Sequence, residues 1–446
     1  MQRPRRLSTL ALALSGAVTL GAAQPANADP KRPVPDYDGR GNADADAESW
    51  ALWIPRALLA PAYVVHEYAV RRPLGALVTH AERERWTSAI RDFFTFGPDQ
   101  KYMWIPTVFY DFGLRPSVGL HVTAADVFAD GNSLGMHAAT GGRDWIVASL
   151  RDSYSWNTGK TSLATRIELS RRPDLVFMGT GPDVRKADRA RYGLQKLEAG
   201  SSFSHATGDA RLVLAAGVRR VDFRAAECCA DPTLADQIRD QMIEAPAGFG
   251  TPYTALYQRL ALTLDSRPER PAPGTGARLA LHGESDFDVR NGTHWTRYGG
   301  ALGGALDLNG HQRTVKLQVA ADFVDPVGGG AVPFTELASL GGDDTMRGFV
   351  TGWMVGRSAV TAELAYAWPV WFAIDGTARL SVGNAFGDHL GGFAPDKLRI
   401  SGDVGLTTIG SRDHGFEILV GLGTETFEQG GHVNSVRFTF GSRRGI

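Results

Sequence analysis

Charged side chains that recur at alternate positions are the residues of this sequence whose types and spacing could do chemistry. Alternate residues of a β-strand point to the same face, so the spacing predicts acidic and basic groups that face one another across a polar interior. Carboxylates and guanidinium groups placed in this way form ion pairs, and the simplest interpretation is that they solvate and brace that interior. These residues are Lys316, Glu363, Asp375, Arg379, Arg399, Asp403, Glu417 and Arg437.

The sequence offers little for hydrolytic, metal or redox chemistry. Its eleven histidines are scattered, and none forms a recognisable motif with a serine. The pair His66-Glu67 lacks the second histidine of a zinc-binding helix. Cys228 and Cys229 are adjacent, which is compatible with a vicinal disulfide and equally with two free or externally paired thiols. We therefore expect no enzyme, no catalytic residue, no metal site and no cofactor.

The elements that position the charged residues are short segments in which apolar and polar residues alternate. In the segment 360–368, Val360, Leu364 and Trp368 lie on one face, while Thr361 and Glu363 lie on the other. The polar face carries full charges and small residues in segment after segment, which suits a wet interior inside an apolar exterior. The pattern predicts an all-β fold, a transmembrane antiparallel β-barrel.

We count about sixteen candidate strands, followed by the tail 442–446. The connections 226–250 and 325–357 are long and lie at one end, whereas most connections at the other end are short. This asymmetry is typical of barrels of the bacterial outer membrane. The barrel is predicted over 115–441, with an inserted loop at 336–357, and a strand at 103–111 could alter the count. The predicted strands begin near 115, 133, 143, 162, 173, 191, 210, 253, 277, 294, 313, 358, 373, 398, 415 and 433.

The N-terminal quarter has a different character. Residues 1–28 have the basic start, the apolar stretch and the A-x-A site of a signal peptide. Residues 29–48 are rich in Pro, Asp and Gly and are predicted to be a disordered linker. Residues 49–114 show helical spacing broken by prolines and are predicted to form a short α-helical periplasmic or plug segment. The formal net charge of −1 gives no support for nucleic-acid binding.

Five segments near the C-terminus carry a resemblance to a known family. Residues 340–349 (LGGDDTMRGF) resemble the LGGxxxxRG(F/Y) loop of the BamA-like superfamily, which includes barrel-assembly proteins, two-partner-secretion transporters and the bacterial surface antigen family. Residues 362–370 are similar to its xExRxPL strand, and 380–386 to its FxDxGNxF strand. Residues 401–406 and 436–440 fit its last strands, with Phe438 and Phe440 as the aromatic terminal signal. The resemblance covers about 336–441.

The resemblance implies that the loop folds back into the barrel. In such proteins the loop arginine, here Arg347, is held by acidic and aromatic groups on neighbouring strands. Gly341 and Gly342 open the motif, Gly348 allows close approach and Phe349 packs beside the arginine.

Four residues are expected to anchor this loop. Glu363 and Asp375 are the inward acidic candidates for Arg347, and Asp403 lies on a following strand. Ser381 stands where the family usually has Asp, so we expect Glu363 or Asp375 to take over as the partner of the arginine.

The resemblance also implies a function. The segment 29–114 shows no pattern of a POTRA module, so the chain resembles a POTRA-less branch that assists insertion or translocation of proteins or lipids. The seam between the first strand, about 115–124, and the last, 433–440, would open and offer its edges to an incoming strand. The alternatives are a passive or gated channel and, less favoured, an outer-membrane enzyme. The expected partners are outer-membrane lipid and unfolded outer-membrane protein clients or a periplasmic protein, while the oligomeric state stays open.

Overall fold

The alternating segments form sixteen antiparallel strands. The computed structural model describes residues 92–267, 274–308, 313–371, 374–408 and 414–444, with isolated positions between 60 and 84. The strands are β1 (Tyr102–Asp111), β2 (Ser117–Ala125), β3 (Asn132–Gly142), β4 (Trp145–Trp156), β5 (Thr161–Phe177), β6 (Ala190–Thr207), β7 (Ala210–Arg224), β8 (Tyr253–Asp265), β9 (Gly276–Asp288), β10 (His294–Asp307), β11 (Thr314–Val327), β12 (Ser358–Trp371), β13 (Ile374–Phe386), β14 (Arg399–Thr408), β15 (His414–Thr424) and β16 (Val433–Arg444).

The sheet closes on itself. Each strand pairs antiparallel with the next along the chain, and β16 pairs with β1. This closure gives each of the sixteen strands a neighbouring strand on both sides. The predicted all-β antiparallel barrel of about sixteen strands is confirmed.

Alternation along the strands gives the barrel its two faces. Leu364, Leu380 and Val404 point outward, with 48%, 55% and 53% of their surface exposed. Their polar neighbours Thr361 and Asp403 point inward and are buried. An apolar outside around a polar inside is the pattern from which the barrel was predicted.

The long connections gather at one end, which we call the upper end: β1 finishes there and β16 begins there. They are 178–189, 225–252, 328–357 and 387–398. The connection 225–252 contains one helix, α1 (Leu234–Arg239), whose first turn is capped by the Thr233 hydroxyl accepting from Asp236 N at 3.1 Å. The opposite end, where β1 begins and β16 finishes, is the lower end.

Two predicted strand boundaries were wrong, and the errors offset one another. The first strand is Tyr102–Asp111, inside the segment 49–114 that was predicted to be helical. The starts predicted near 162 and 173 belong to the single strand β5, where a register shift between Arg172 and Leu175 accommodates Pro173. Each of these two strands contains a proline, Pro106 in β1 and Pro173 in β5. Pro106 is tolerated because it lies in a strand with little pairing on one edge.

The chain ends differ from the prediction or lie outside the described residues. β16 continues to Arg444, so the predicted tail at 442–446 is largely strand. The predicted signal peptide 1–28 and linker 29–48 lie outside the described residues. In the predicted helical segment, positions 60, 64, 68, 72, 73, 76, 77, 80 and 92–94 are helical.

Two further observations concern covalent and helical features. Cys228 and Cys229 are joined by a disulfide. Among the described residues, no helix combines the length and the apolar character that a membrane-crossing helix needs.

Candidate functional site

The connection 328–357, which we call the lumen loop, lies inside the upper half of the barrel. Two short strands within it, Ala338–Leu340 and Met354–Gly356, pair as a hairpin. Its apolar side chains form one buried core with inward-facing wall residues. The members from the loop are Val332, Ala338, Leu340, Met346, Phe349, Val350, Trp353 and Met354, and those from the wall include Val176, Val221, Tyr253, Ala255, Trp295, Val324, Ala359 and Ala385.

The tip of the lumen loop sits against β14, β15 and β16. The amide of Gly348 donates to Ser401 Oγ at 2.7 Å, and its carbonyl accepts from Ser435 Oγ at 2.7 Å. A side chain at Gly348 would overlap the Leu422 backbone, so only glycine fits at this distance. Phe349 is fully buried because Gly423 leaves room for its ring. The structure therefore brings Gly348 and Phe349 into close contact with the last strands.

Arg347 pairs with a residue that the sequence did not single out for it. Its Nη1 lies 2.5 Å from Glu417 Oε1, and only 3% of the side chain is exposed. The sequence predicted Glu363 or Asp375 as the partner of Arg347, and that prediction is wrong because the arginine contacts Glu417. Glu417 was recognised as an inward charge, but the path of the loop decides which inward carboxylate Arg347 meets.

Three of the four expected anchors, Glu363, Ser381 and Asp403, make contacts among the barrel strands. Ser381 Oγ donates to Glu363 Oε2 at 3.1 Å, so the serine binds the glutamate opposite it on β12. Arg379 Nη1 donates to Asp403 Oδ1 at 2.9 Å across the β13–β14 pair. These contacts brace the wall beside the loop.

Arg437 on β16 joins three parts of the chain. Its Nε and Nη2 donate to the two carboxylate oxygens of Asp111 on β1, at 2.8 and 2.7 Å. Nη2 also reaches Asp343 Oδ1 at 2.7 Å, and Nη1 donates to the carbonyls of Gly342 and Arg347. The guanidinium is almost fully buried. One side chain thus ties the loop motif to the last strand and the last strand to the first.

The sequence predicted Arg437 as an inward charge but gave it no role in the loop. Asp111 and Asp343 were also missed as its partners. Only the alternation of Arg437 within β16 and the acidic pair 343–344 in the loop could have indicated the contact.

A second arginine holds the other side of the lumen loop. Arg219 on β7 donates to Glu336 Oε2 at 2.8 Å, and it also contacts Glu284 and Asp286 on β9. Tyr253 OH donates to the other Glu336 oxygen at 2.5 Å. This group could not be identified from the sequence, because β7, β8 and β9 lie outside the region of family resemblance.

The seam between β1 and β16 has the shortest ladder of the barrel. It has three residue pairs, Thr439 with Asp111, Phe440 with Tyr110 and Gly441 with Phe109. By comparison, β16 shares eleven pairs with β15, and β1 shares eight with β2. The ladder stops at Gly441 although both strands continue toward the lower end. Among the described residues, the seam is therefore paired only near the upper end.

The two aromatic residues of the terminal strand flank this seam. Phe438 and Phe440 are on the outward face, and the ring of Phe438 lies 6.1 Å from that of Tyr110 on β1. Phe440 packs edge-on against Phe416 of β15 at 4.9 Å. The first strand of the predicted seam, 115–124, is corrected to β1.

The residues at the site give no metal-binding arrangement. Within the described ranges, no group of three or more His, Cys, Asp or Glu side chains is placed to hold a metal ion. The acidic groups at the loop contact arginine instead, as with Glu417, Asp111 and Glu336.

The comparisons with known proteins support the fold. No protein-family model and no curated protein matches this chain. Among solved structures it is similar to BamA from Haemophilus ducreyi lacking POTRA domains 1–3, with a TM-score of 0.55 and 16% identity over 77% of this chain and 70% of that one. CdiB from Acinetobacter baumannii (TM-score 0.47, 11% identity, 78% of this chain and 60% of that one) and CdiB from Escherichia coli (0.45, 12%, 78% and 64%) also match. In fold, the chain is a closed sixteen-stranded antiparallel barrel similar to that of BamA.

Proposed function

We propose that this protein is a bacterial outer-membrane barrel that opens at the β1–β16 seam to assist insertion or translocation of proteins across that membrane. The observation that carries the proposal is the seam itself, three residue pairs held beside one buried ion pair. A strand edge inside a membrane demands a partner, because lipid cannot hydrogen-bond to the backbone. A seam this short offers such an edge to an incoming strand at small cost.

The outward surface supports the membrane location. Its apolar residues stand on strand after strand, among them Leu317, Leu364, Leu380, Val404 and Val436. An exposed apolar surface of this extent suits hydrocarbon rather than water. Outer-membrane lipid and unfolded outer-membrane proteins are the partners that we propose.

The alternative function is a channel. The lumen loop and its core occupy the upper half of the interior, so conduction requires movement of the loop. Opening of the seam does not require the core of the lumen loop to move, and for that reason we favour opening at the seam over conduction through the interior.

A disulfide across the seam tests the proposal. In a background with Cys228 and Cys229 replaced by Ser, Tyr110→Cys and Phe440→Cys place two thiols at directly opposed positions. The probe is a urea-unfolded eight-stranded outer-membrane barrel added to liposomes that contain this protein. We expect faster insertion of the probe with the reduced variant, loss of that effect on oxidation, and recovery with reductant.

The matched control keeps Phe440→Cys and places the second cysteine at Ile418, its partner on β15. This disulfide joins strands that we do not expect to separate, so oxidation should leave insertion unchanged. Equal insertion by the oxidised and reduced seam variants would refute opening at the seam. Absence of any acceleration by the unmodified protein would refute the assisting role.

A further inference from the structure

The free edge of β1 is divided into three parts. One edge of β1 pairs with β2 from Tyr102 to Phe109. On the other edge, Phe109–Asp111 pair with β16, and Tyr102 and Met103 pair with Phe96 and Thr95. Within the described residues, positions 104–108 between these two parts have no ladder partner on that side. Five residues of strand span roughly 16 Å.

Thr95 and Phe96 lie where an added strand would lie. The seam pairs are antiparallel and in register, so a strand that continued the line of β16 would come to face Met103 and Tyr102. Those places are filled by Thr95 and Phe96, which also run antiparallel to β1. The chain thus supplies a short strand to the edge that the proposed function requires to be open.

Aromatic contacts hold this short strand on both faces of β1. The ring of Phe96 stacks on Tyr102 at 5.4 Å, and the ring of Phe94 lies 5.1 Å from Trp104. Phe94 also forms a buried cluster with Met103 and Ile105, which point inward. The segment 93–96 therefore covers the outward and the inward side of the first half of β1.

The attachment is nevertheless short and its turn is strained. It consists of two residue pairs, and Phe96 keeps 53% of its surface exposed. The turn 97–100 contains Asp99 and Gln100, both at φ 54, after Gly97 at φ 82. Left-handed backbone at two consecutive non-glycine residues is unfavourable. Such a strand is suited to being displaced.

We propose that residues 93–96 act as a built-in cap on the β1 edge, which an incoming strand must displace before it can pair there. The inference rests on the proposed function, because it assigns a regulator to the same edge. The cap keeps the backbone of Tyr102 and Met103 paired while no foreign strand is present. An incoming antiparallel strand replaces the two pairs of the cap and extends over the residues 104–108.

The test compares three forms of the full-length protein in detergent, all with Cys228 and Cys229 replaced by Ser. One keeps the cap, one carries Thr95→Pro and Phe96→Pro, and one carries Thr95→Cys and Met103→Cys at paired positions so that oxidation fixes the cap. Proline removes the backbone donors that a ladder needs. The probe is a fluorescent peptide with the sequence of residues 433–440, the part of β16 that begins at the upper end.

We expect the proline variant to bind the peptide about tenfold more tightly than the form with the cap, which corresponds to about 1.4 kcal/mol. The oxidised cysteine variant should bind more weakly than its reduced form. A heat-modifiable band on gels must show that each variant is folded, and Ser117→Pro, at the β2 side of β1, serves as a proline control that should not increase binding.

Equal affinity in all forms, including no binding in any of them, would overturn the cap. The seam-disulfide experiment decides the proposed function separately, because it measures insertion and leaves residues 93–96 unchanged. A protein that assists insertion but binds the peptide equally with and without the cap therefore retains the function and loses this inference.

Discussion

At the seam, the guanidinium group of Arg437 makes contacts that no other described side chain of β16 makes. It binds both oxygens of Asp111 and reaches the loop at Gly342 and Asp343. A bidentate contact of this kind fixes direction as well as distance. Loss of one partner leaves a buried charge without compensation, which costs far more than loss of an exposed pair.

Arg437→Ala should destabilise the folded barrel by about 3–5 kcal/mol, the usual range for removing one partner of a buried ion pair. The measurement is the temperature at which the heat-modifiable band on gels shifts to the unfolded position. Arg220→Ala is the control, since Arg220 pairs with Asp222 but is largely exposed, and exposed pairs contribute about 1 kcal/mol at most. Equal shifts for the two variants would show that the Arg437 contact does not stabilise the seam.

Arg347 and Glu417 should behave as a coupled pair. Arg347→Ala and Glu417→Gln each remove one partner of a buried contact at 2.5 Å, so each should lower barrel stability or assembly yield. The double variant should lose less than the sum of the two single losses, with a coupling of about 0.5–3 kcal/mol. Additive losses in urea unfolding would indicate that the guanidinium finds its main support elsewhere.

Asp231 makes the stability of the connection 225–252, at the upper end, depend on pH. Burial raises the pKa of Asp231, but hydrogen bonds and charge from Arg189 and Arg191 outweigh burial and hold the pKa below its ordinary value. A carboxyl whose folded pKa is depressed stabilises the fold above its unfolded pKa, about 3.9, and the stabilisation is lost as pH falls through the folded pKa.

We therefore expect the connection 225–252 to stay anchored at neutral pH and to loosen in acid. Pepsin cleavage within it should rise as pH falls below about 4, and Asp231→Asn should make cleavage less dependent on pH. A cleavage profile for Asp231→Asn that matches the unchanged protein would show that this carboxyl does not control the loop.

The inward charges could be predicted from the sequence because alternation alone assigns a face. Arg379, Asp403 and Glu417 all point inward as expected. Pairing between the loop and the wall could not be predicted, because it depends on the path of thirty residues through the interior. The partner of Arg347 was wrong for that reason.

Among the strands, β16 ends its pairing with β1 at a glycine. Gly441 has φ +151, and a Cβ there would lie 2.5 Å from Val108 O and 2.9 Å from Phe109 Cα. Glycine therefore permits the last seam pair to form. Its replacement must push the strands apart.

Gly441→Ala should reduce the yield of the disulfide between Tyr110→Cys and Phe440→Cys, because the two backbones can no longer approach. The measurement is the fraction oxidised at a fixed time under mild oxidant. Gly402→Ala on β14 is the matched control, since its nearest atom would be 3.9 Å away. An unchanged yield for Gly441→Ala would mean that the seam tolerates a side chain at its last pair.

The sequence predicted which segments form strands more reliably than it predicted where each strand begins and ends. β7, β8, β10, β12 and β16 begin where the alternation predicts. The two wrong predictions concern strands that contain a proline, Pro106 in β1 and Pro173 in β5, and a proline is compatible with a strand end, an edge strand or a bulge. Pairing with neighbours decides among the three.

The whole molecule is a barrel whose upper half is filled by the core of the lumen loop and whose β1–β16 seam has only three residue pairs. The lumen loop is fixed at one side by Arg219 through Glu336 and at the other by Arg437 through Gly342 and Asp343. Two separate attachments make spontaneous release of the loop unfavourable. The interior should therefore not conduct in the resting state.

In planar bilayers we expect no large steady openings from the unchanged protein. Replacement of residues 338–356 by a short Gly-Ser linker removes the hairpin and most of the loop residues of the apolar core, so it should produce large stable conductance. Large openings in the unchanged protein would contradict the closed interior and favour the channel alternative.

The position of the lumen loop in the chain constrains how the barrel itself can mature. Gly348 is held by Ser401 and Ser435, which follow it by 53 and 87 residues. The receiving strands β14 and β16 therefore follow the loop in the chain, and these contacts can hold the tip of the loop only once both strands are in the wall. Arg437 contacts Gly342 and Asp343 of the loop as well as Asp111 of β1. We therefore expect docking of the loop and closure of the seam to occur together, late in folding.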